Sequence, residues 1–201
     1  MVKTMTQKNV AILIYNDVEV LDFAGPFEVF SVTSESDENQ PFQVYTVAET
    51  KEAIRAKNGL SVNPEYTLTD CPSPHIVIIP GGIGSREAMK RSPILDWVKT
   101  CSQDAEFVMS VCTGSLILAK AGLLEGLKAT THHQAFDLLR EIAPNTTVVE
   151  NQRFVEEDKI LTSGGIAAGI DLSLYVVAKL LGQETALNTT KYMEYHWTHP
   201  L

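Results

Sequence analysis

The chain has 201 residues, of which 44% are hydrophobic and 20% charged, and its formal net charge at pH 7 is −9. This length suits one ordinary α/β domain over residues 1–201, with a core large enough to need no disulfide or metal for its stability. The negative charge argues against a nucleic-acid partner, because binding to phosphates needs a concentrated basic patch.

The three cysteines, Cys71, Cys101 and Cys112, follow neither a CxxC spacing nor another metal-site pattern. The apolar segment near the N-terminus is too short for a membrane span and lacks a secretory pattern. We therefore expect reduced thiols in a cytoplasmic protein with no metal site and no membrane partner.

Strand and helix patterns alternate along the chain. Short apolar or alternating runs predict strands over residues 10–15, 42–47, 76–79, 107–109, 129–131, 146–150, 153–156 and 160–162, with an extended hairpin over 54–62 around Asn58-Gly59. Helical spacing predicts helices over residues 20–32, 86–90, 94–101, 114–120, 134–142, 166–181 and 184–194. This order indicates an α/β fold with a mostly parallel central sheet and helices on both faces.

In such a sheet, ligands bind at the carboxyl ends of the strands. Asp22, the glycine turn at 81–84, Cys112 and His132 each follow shortly after a predicted strand. They could therefore converge at one edge and form a site for a small-molecule substrate. Loops such as the one over 33–40 would then shape the pocket.

The segment Ser110-Val111-Cys112-Thr113-Gly114 places a cysteine between a predicted strand and a predicted helix. A cysteine on such a turn resembles the nucleophile of an elbow motif. The positive end of the helix dipole would favour the thiolate, which is a nucleophile at neutral pH. The alternative is a buried cysteine with a structural role.

Asp22 falls at the start of the first predicted helix, where an aspartate commonly caps the helix N-terminus. The functional alternative is a carboxyl group that faces Cys112. Near a thiolate its pKa would rise, so the group could stay protonated and transfer a proton.

Pro80-Gly81-Gly82-Ile83-Gly84 follows a predicted buried strand. The backbone N–H groups of Gly81, Gly82 and Ile83, with that of Thr113, could stabilise a developing negative charge. The alternatives are a merely flexible turn and a phosphate loop, but the chain lacks the Walker pattern.

His132 and His133 follow the predicted strand over 129–131, and His132 is the candidate that could approach the thiol. Its alternative role is structural. Ser163-Gly164-Gly165 precedes a predicted helix and could either form part of the pocket wall or cap that helix.

Taken together, these segments resemble the ThiJ/PfpI superfamily, a flavodoxin-like branch of the class I glutamine amidotransferase-like fold. The resemblance runs from Val10 to about Tyr195. It rests on four segments in this order: Leu21-Asp22-Phe23-Ala24-Gly25-Pro26, Pro80-Gly81-Gly82, Ser110-Val111-Cys112-Thr113-Gly114 and Ala129-Thr130-Thr131-His132.

Within the superfamily, the chain is most similar to isocyanide hydratases, which also carry a late segment like the one here at 163–171. The intracellular-protease branch usually has His directly after the nucleophile, whereas this chain has Thr113. The deglycase and glyoxalase branches have Glu where this chain has Asp22. The first difference weakens an assignment as a peptidase, and the second weakens an assignment as a deglycase or glyoxalase.

The resemblance implies a homodimeric enzyme that hydrates isocyanides to N-substituted formamides without a metal or organic cofactor. Cys112 would be the nucleophile and Asp22 the proton donor, while Thr113 could bind substrate or water and His132 has no assigned step. Two alternatives remain: another Cys-dependent enzyme of the glyoxalase, deglycase or amidase type, and a non-enzymatic sensor of ligands or oxidants.

The same motifs also resemble the ligand-sensing halves of AraC-like transcription regulators. Those proteins carry a C-terminal helix-turn-helix domain, for which the residues after the last predicted helix leave no room. Together with the negative charge, this argues against a regulator.

Overall fold

The computed structural model describes residues 7–34 and 40–198. Residues 35–39, which belong to a loop expected to shape the pocket, lie outside the described part of the chain. The structure confirms the α/β prediction, and the predicted helix over 20–32 and strand over 76–79 have the predicted bounds.

The strands follow one another in this order: β1 (Lys8–Leu13), β2 (Phe42–Ala48), β3 (Ile54–Arg55), β4 (Ser61–Val62), β5 (Tyr66–Thr67), β6 (Ile76–Ile79), β7 (Phe107–Ser110), β8 (Lys128–Ala129), β9 (Thr147–Val148), β10 (Phe154–Glu157) and β11 (Ile160–Ser163). The helices are α1 (Val20–Val32), α2 (Ser85–Ala88), α3 (Ser92–Asp104), α4 (Gly114–Lys120), α5 (Phe136–Ile142), α6 (Ala168–Leu181) and α7 (Gln183–Tyr192). Short 3₁₀ turns occupy Lys57–Gly59 and His133–Ala135.

Seven strands form the central sheet in the order β10-β11-β7-β6-β1-β2-β5. All neighbours are parallel except β10 and β11, which are antiparallel. The apolar run of β1 is buried because β1 lies between β2 and β6, with helices over the sheet. The strands β3 and β4 form the predicted hairpin, and β8 pairs with β9 apart from the main sheet.

The parallel register brings the carboxyl ends of β1, β6, β7 and β11 to one edge of the sheet. The segments that follow these strands include α1, the glycine turn, the Cys112 corner and the Ser163-Gly164-Gly165 turn. The predicted convergence of these segments is therefore a consequence of the topology.

Several predicted bounds differ from the structure by one to three residues, and two of these differences lie beside the segments that converge. The strand predicted over 129–131 ends at Ala129, because the Thr130 N–H donates to the Thr162 hydroxyl at 2.8 Å and the Thr131 hydroxyl donates to the Cys112 carbonyl at 3.0 Å. The helix α6 begins at Ala168, two residues later than predicted.

Candidate active site

Cys112 lies at a sharp corner between β7 and α4. Its φ of 56° is in the left-handed region, which residues with a Cβ rarely adopt. Its N–H donates to the carbonyl oxygens of Ser163 at 3.2 Å and Gly164 at 3.1 Å, so the turn after β11 supports the strained backbone. The residue is 5% exposed and lines a cavity.

Asp22 is fully buried in the first turn of α1. The N-cap residue of this helix is Glu19, and the Asp22 side chain makes no capping bond, so the capping interpretation is wrong. Instead, Asp22 Oδ2 accepts a hydrogen bond from the Gly81 N–H at 3.0 Å. Its Oδ1 is buried and has no hydrogen-bond partner among the described residues.

The carboxyl of Asp22 and the thiol of Cys112 lie close enough to shift the pKa of each other. Burial raises the pKa of Asp22 to about 7, although the Gly81 N–H and the Cys112 thiol oppose this change. Burial and the Asp22 carboxylate raise the pKa of Cys112 to about 12. Burial and the neighbouring carboxylate both act against the thiolate that the sequence predicts, whereas the start of the seven-residue helix α4 favours it.

The glycine turn and Thr113 are joined by hydrogen bonds within the protein. The Gly82 N–H donates to Thr113 Oγ1 at 3.0 Å, and this hydroxyl also bonds the Gly82 carbonyl and Ser85 Oγ at 3.0 Å each. Since the Gly81 N–H is held by Asp22, the expectation that Gly81 and Gly82 offer free N–H donors is corrected. The Thr113 hydroxyl likewise has protein partners and fixes the turn against the Cys112 corner.

Two other backbone donors remain near the thiol. The Thr113 N–H hydrogen-bonds the Cys112 sulfur and lowers the pKa of that thiol in part. The Ile83 N–H has no acceptor among the described residues, and Ile83 lines the same cavity.

His132 also lines the cavity, but its contacts explain its position without chemistry. Its Nδ1 accepts a hydrogen bond from the Gln134 N–H at 3.3 Å, which caps the 3₁₀ turn. Its ring packs against Gly165, where a Cβ would lie 2.2 Å from Cδ2. Burial lowers the pKa of His132, and the neighbouring His133 and Arg86 act in the same direction.

The cavity has a volume of about 310 Å³, which suits a small molecule. Its lining residues are Glu19, Lys57, Gly82, Ile83, Arg86, Cys112, Thr113, His132, His133, Gln134 and Ile166. Asp22 and Gly81 lie behind this surface. Five of the seven predicted site residues therefore line one cavity.

Sequence reasoning missed several side chains of the site. Tyr15 is buried, its hydroxyl donates to the Pro80 carbonyl at 2.5 Å, and burial raises its pKa. Glu19 and Lys57 form an ion pair of 2.9 Å at the cavity. Arg86 lies four residues after the second glycine of the turn, which itself follows a predicted buried strand. That position in the sequence is the signal that could have marked Arg86 as a residue of the site.

Within residues 7–34 and 40–198, no group of three or more His, Cys, Asp or Glu side chains is placed to hold a metal ion. None of the helices described there is long and apolar enough to cross a membrane.

Comparisons with known proteins agree with this fold. Residues 8–179 match the model of the DJ-1/PfpI family. The isonitrile hydratase of Pseudomonas putida is 34% identical over 186 residues, which cover 92% of this chain and 78% of that protein. A ThiJ/PfpI family protein from Pseudomonas syringae superimposes with a TM-score of 0.86 at 30% identity, covering 98% of this chain and 79% of that structure.

Transcriptional regulators are also among the relatives of this chain. The HTH-type transcriptional regulator CdhR of Pseudomonas aeruginosa is 28% identical over 138 residues, which cover 69% of this chain but 40% of the regulator. Because the family model covers most of the chain and an enzyme relative matches nearly all of it, the family follows directly. The chain belongs to the DJ-1/PfpI family.

Proposed function

We propose that this protein hydrates isocyanides to N-substituted formamides, with Cys112 as the nucleophile. The observation that carries the proposal is the buried pair at the cavity, in which the Cys112 thiol lies beside a carboxyl whose pKa burial raises to about 7. The 34% identity to an isonitrile hydratase supports this choice among the activities of the family.

The first step breaks the S–H bond, forms the C–S bond and moves the proton from sulfur to carbon. The Asp22 carboxylate takes the proton from the Cys112 thiol while the sulfur attacks the terminal carbon of the isocyanide. The new C–S bond leaves an electron pair on that carbon, and Asp22 returns the proton there. The product is a thioimidate, R–N=CH–S–Cys112, which contains every atom of thiol and substrate.

The second step consumes water. The Asp22 carboxylate accepts a proton from a water molecule, whose oxygen adds to the thioimidate carbon, and Asp22 passes that proton to the nitrogen. The tetrahedral species R–NH–CH(OH)–S–Cys112 then expels the sulfur while Asp22 transfers the hydroxyl proton to it, so the formamide R–NH–CHO leaves and the Cys112 thiol is restored. The N–H groups of Ile83 and Thr113 would stabilise charge during these steps, since both lie at the cavity.

The cofactor, the compartment and the oligomeric state that we propose follow the family resemblance. The steps above use only side chains of this chain and water, so we propose a cofactor-independent enzyme in a compartment that keeps thiols reduced. A homodimer is proposed as well, and it is supported by exposed apolar side chains on α1 and α7, namely Leu21, Leu187 and Tyr192.

The experiment that tests this function incubates the wild-type protein at pH 8 with cyclohexyl isocyanide and, separately, with methylglyoxal. Formation of N-cyclohexylformamide, followed by NMR of its formyl proton, is the expected result. Lactate from methylglyoxal without any formamide would identify a glyoxalase instead. Oxidation of Cys112 by peroxide without turnover of either compound would favour a sensor.

The pH dependence of kcat/KM tests the role of Asp22. Below pH 7 both the thiol and the carboxyl are protonated, so no base is present to start the reaction. We expect kcat/KM to rise about tenfold per pH unit at low pH and to level off above about 7. A flat profile between pH 5.5 and 9, after subtraction of the reaction without enzyme, would contradict this role.

A further inference from the structure

Arg86 is the cavity cation that carries no acidic partner in the described part of the chain. The side chain is half-buried, and its contacts there are two long hydrogen bonds from Nη1, both 3.3 Å, to the Gly82 carbonyl and Ser85 Oγ. Both acceptors are neutral. A guanidinium has five N–H donors, so most of its capacity is left for a ligand.

The other charges at the cavity wall are balanced differently. Lys57 is paired with Glu19 at 2.9 Å, so the opposite charges of these two side chains offset each other. Burial lowers the pKa of His132 and so disfavours the charged form of its ring. Among the side chains that line the cavity with Cys112, Arg86 is therefore the cation without a paired anion, whereas the Asp22 carboxyl is not part of that lining and accepts from the Gly81 N–H.

From this arrangement we propose that the substrate carries a carboxylate, which Arg86 binds while Cys112 reacts with the isocyano group. This inference rests on the proposed function and names the substrate class as isocyanocarboxylates. Their hydration products are N-formyl amino acids. A reaction that makes such a substrate would have to convert the amino group of an amino acid into an isocyano group, which adds one carbon to that nitrogen.

The chemistry of Arg86 favours this class over a neutral isocyanide. The planar guanidinium matches the two oxygens of a carboxylate, and a partly buried site strengthens the pair relative to water. The cavity of about 310 Å³ holds a compact ligand, so one molecule can contact both Arg86 and Cys112. A neutral alkyl isocyanide would leave the guanidinium without a partner in the complex.

The first test measures how fast two alkylating reagents react with Cys112, and it needs no turnover of an isocyanide. Iodoacetate and iodoacetamide have nearly the same size, and each alkylates a thiol with loss of iodide, but only the first carries a carboxylate. We expect the ratio of their alkylation rates at Cys112, measured by peptide mass spectrometry, to exceed the ratio at a free thiol. Arg86→Gln should lower this ratio by about tenfold or more, as expected for one charge-assisted hydrogen-bonded pair.

Two variants serve as controls. Arg91→Gln removes the same type of side chain from an exposed pair with Glu49 outside the cavity, and should leave the ratio unchanged. Arg86→Lys keeps the charge and should retain more of the preference than Arg86→Gln does. Equal ratios in the wild-type protein and all three variants would overturn the inference.

The second test compares isocyanoacetate with its methyl ester as substrates. We expect a kcat/KM preference for the carboxylate in the wild-type protein that is lost in Arg86→Gln. Hydration of both compounds with no effect of Arg86 would overturn the substrate class and leave the hydratase standing. No hydration of either, together with an alkylation ratio that responds to Arg86, would support the anion site and overturn the proposed reaction.

Discussion

Asp22→Asn is expected to lower kcat/KM for isocyanide hydration by about 10²–10⁴-fold, the usual contribution of a general acid–base group. An amide can neither take the proton from the Cys112 thiol nor return it to carbon. It can still accept the hydrogen bond that Asp22 accepts from the Gly81 N–H. Loss of activity in a folded variant would therefore come from lost proton transfer.

The same substitution is expected to stabilise the folded protein at pH 8. The pKa of Asp22 is about 7 in the folded state against an ordinary value of 3.8, so the folded state binds the proton more tightly. Stability therefore falls as the pH rises from about 4 to about 7, and stays reduced above that range. The full difference corresponds to about 4 kcal/mol, which Asn would remove at pH 8 but not at pH 4.

Thermal unfolding of the wild-type protein and Asp22→Asn at pH 4 and pH 8 measures this effect, with an expected rise in Tm of about 10 °C at pH 8. Asp171→Asn is the matched control, because Asp171 is equally buried but is paired with Arg153 and accepts from the Tyr195 hydroxyl. It should lower the Tm. If Asp22→Asn destabilised the protein as much as Asp171→Asn, the unfavourable burial of the Asp22 charge would be refuted.

Gly114→Ala is expected to cost about 3 kcal/mol or more, at the upper end for overpacking. A Cβ at this position would lie 1.9 Å from the Ile79 carbonyl oxygen and 2.8 Å from its carbon. Both are backbone atoms of β6, which cannot move without breaking the register with β7. The corner that carries Cys112 would therefore shift, and thiol reactivity would change together with stability.

Gly122→Ala separates this clash from the general effect of replacing a glycine. Gly122 has a φ of 78°, but a Cβ there would meet no atom within 4 Å. The strain of a left-handed residue alone should cost about 1 kcal/mol. Chemical denaturation of both variants gives the comparison, and equal losses of stability would contradict the close approach between α4 and β6.

The order of the elements and the convergence of the site could be predicted from the sequence. The apolar run at the start of the chain is typical of a strand with neighbours on both sides, and β1 has them. Because parallel strands end at one edge, placing Asp22, Cys112 and the glycine turn after strands was enough to bring them together. These are consequences of local pattern and topology.

The electrostatics and hydrogen bonds of the site could not be predicted in the same way. The pKa of Cys112 depends on burial and on Asp22, which lies 90 residues earlier in the chain. Which N–H groups of the glycine turn are free depends on the hydrogen bonds that Asp22 and Thr113 already accept from this turn. In the sequence, Arg86 cannot be distinguished from an ordinary surface cation, because its role depends on the cavity that it lines in the fold.

The measurement that tests the central claim most directly is formamide production by the wild-type protein beside Cys112→Ala, with cyclohexyl isocyanide at pH 8. The small side chain of Ala fits the corner, so thermal unfolding should show a folded variant. We expect formamide from the wild-type protein and only the rate without enzyme from Cys112→Ala. Equal rates from both proteins would contradict covalent catalysis by Cys112, and no formamide from the wild-type protein with either cyclohexyl isocyanide or isocyanoacetate would contradict the hydratase itself.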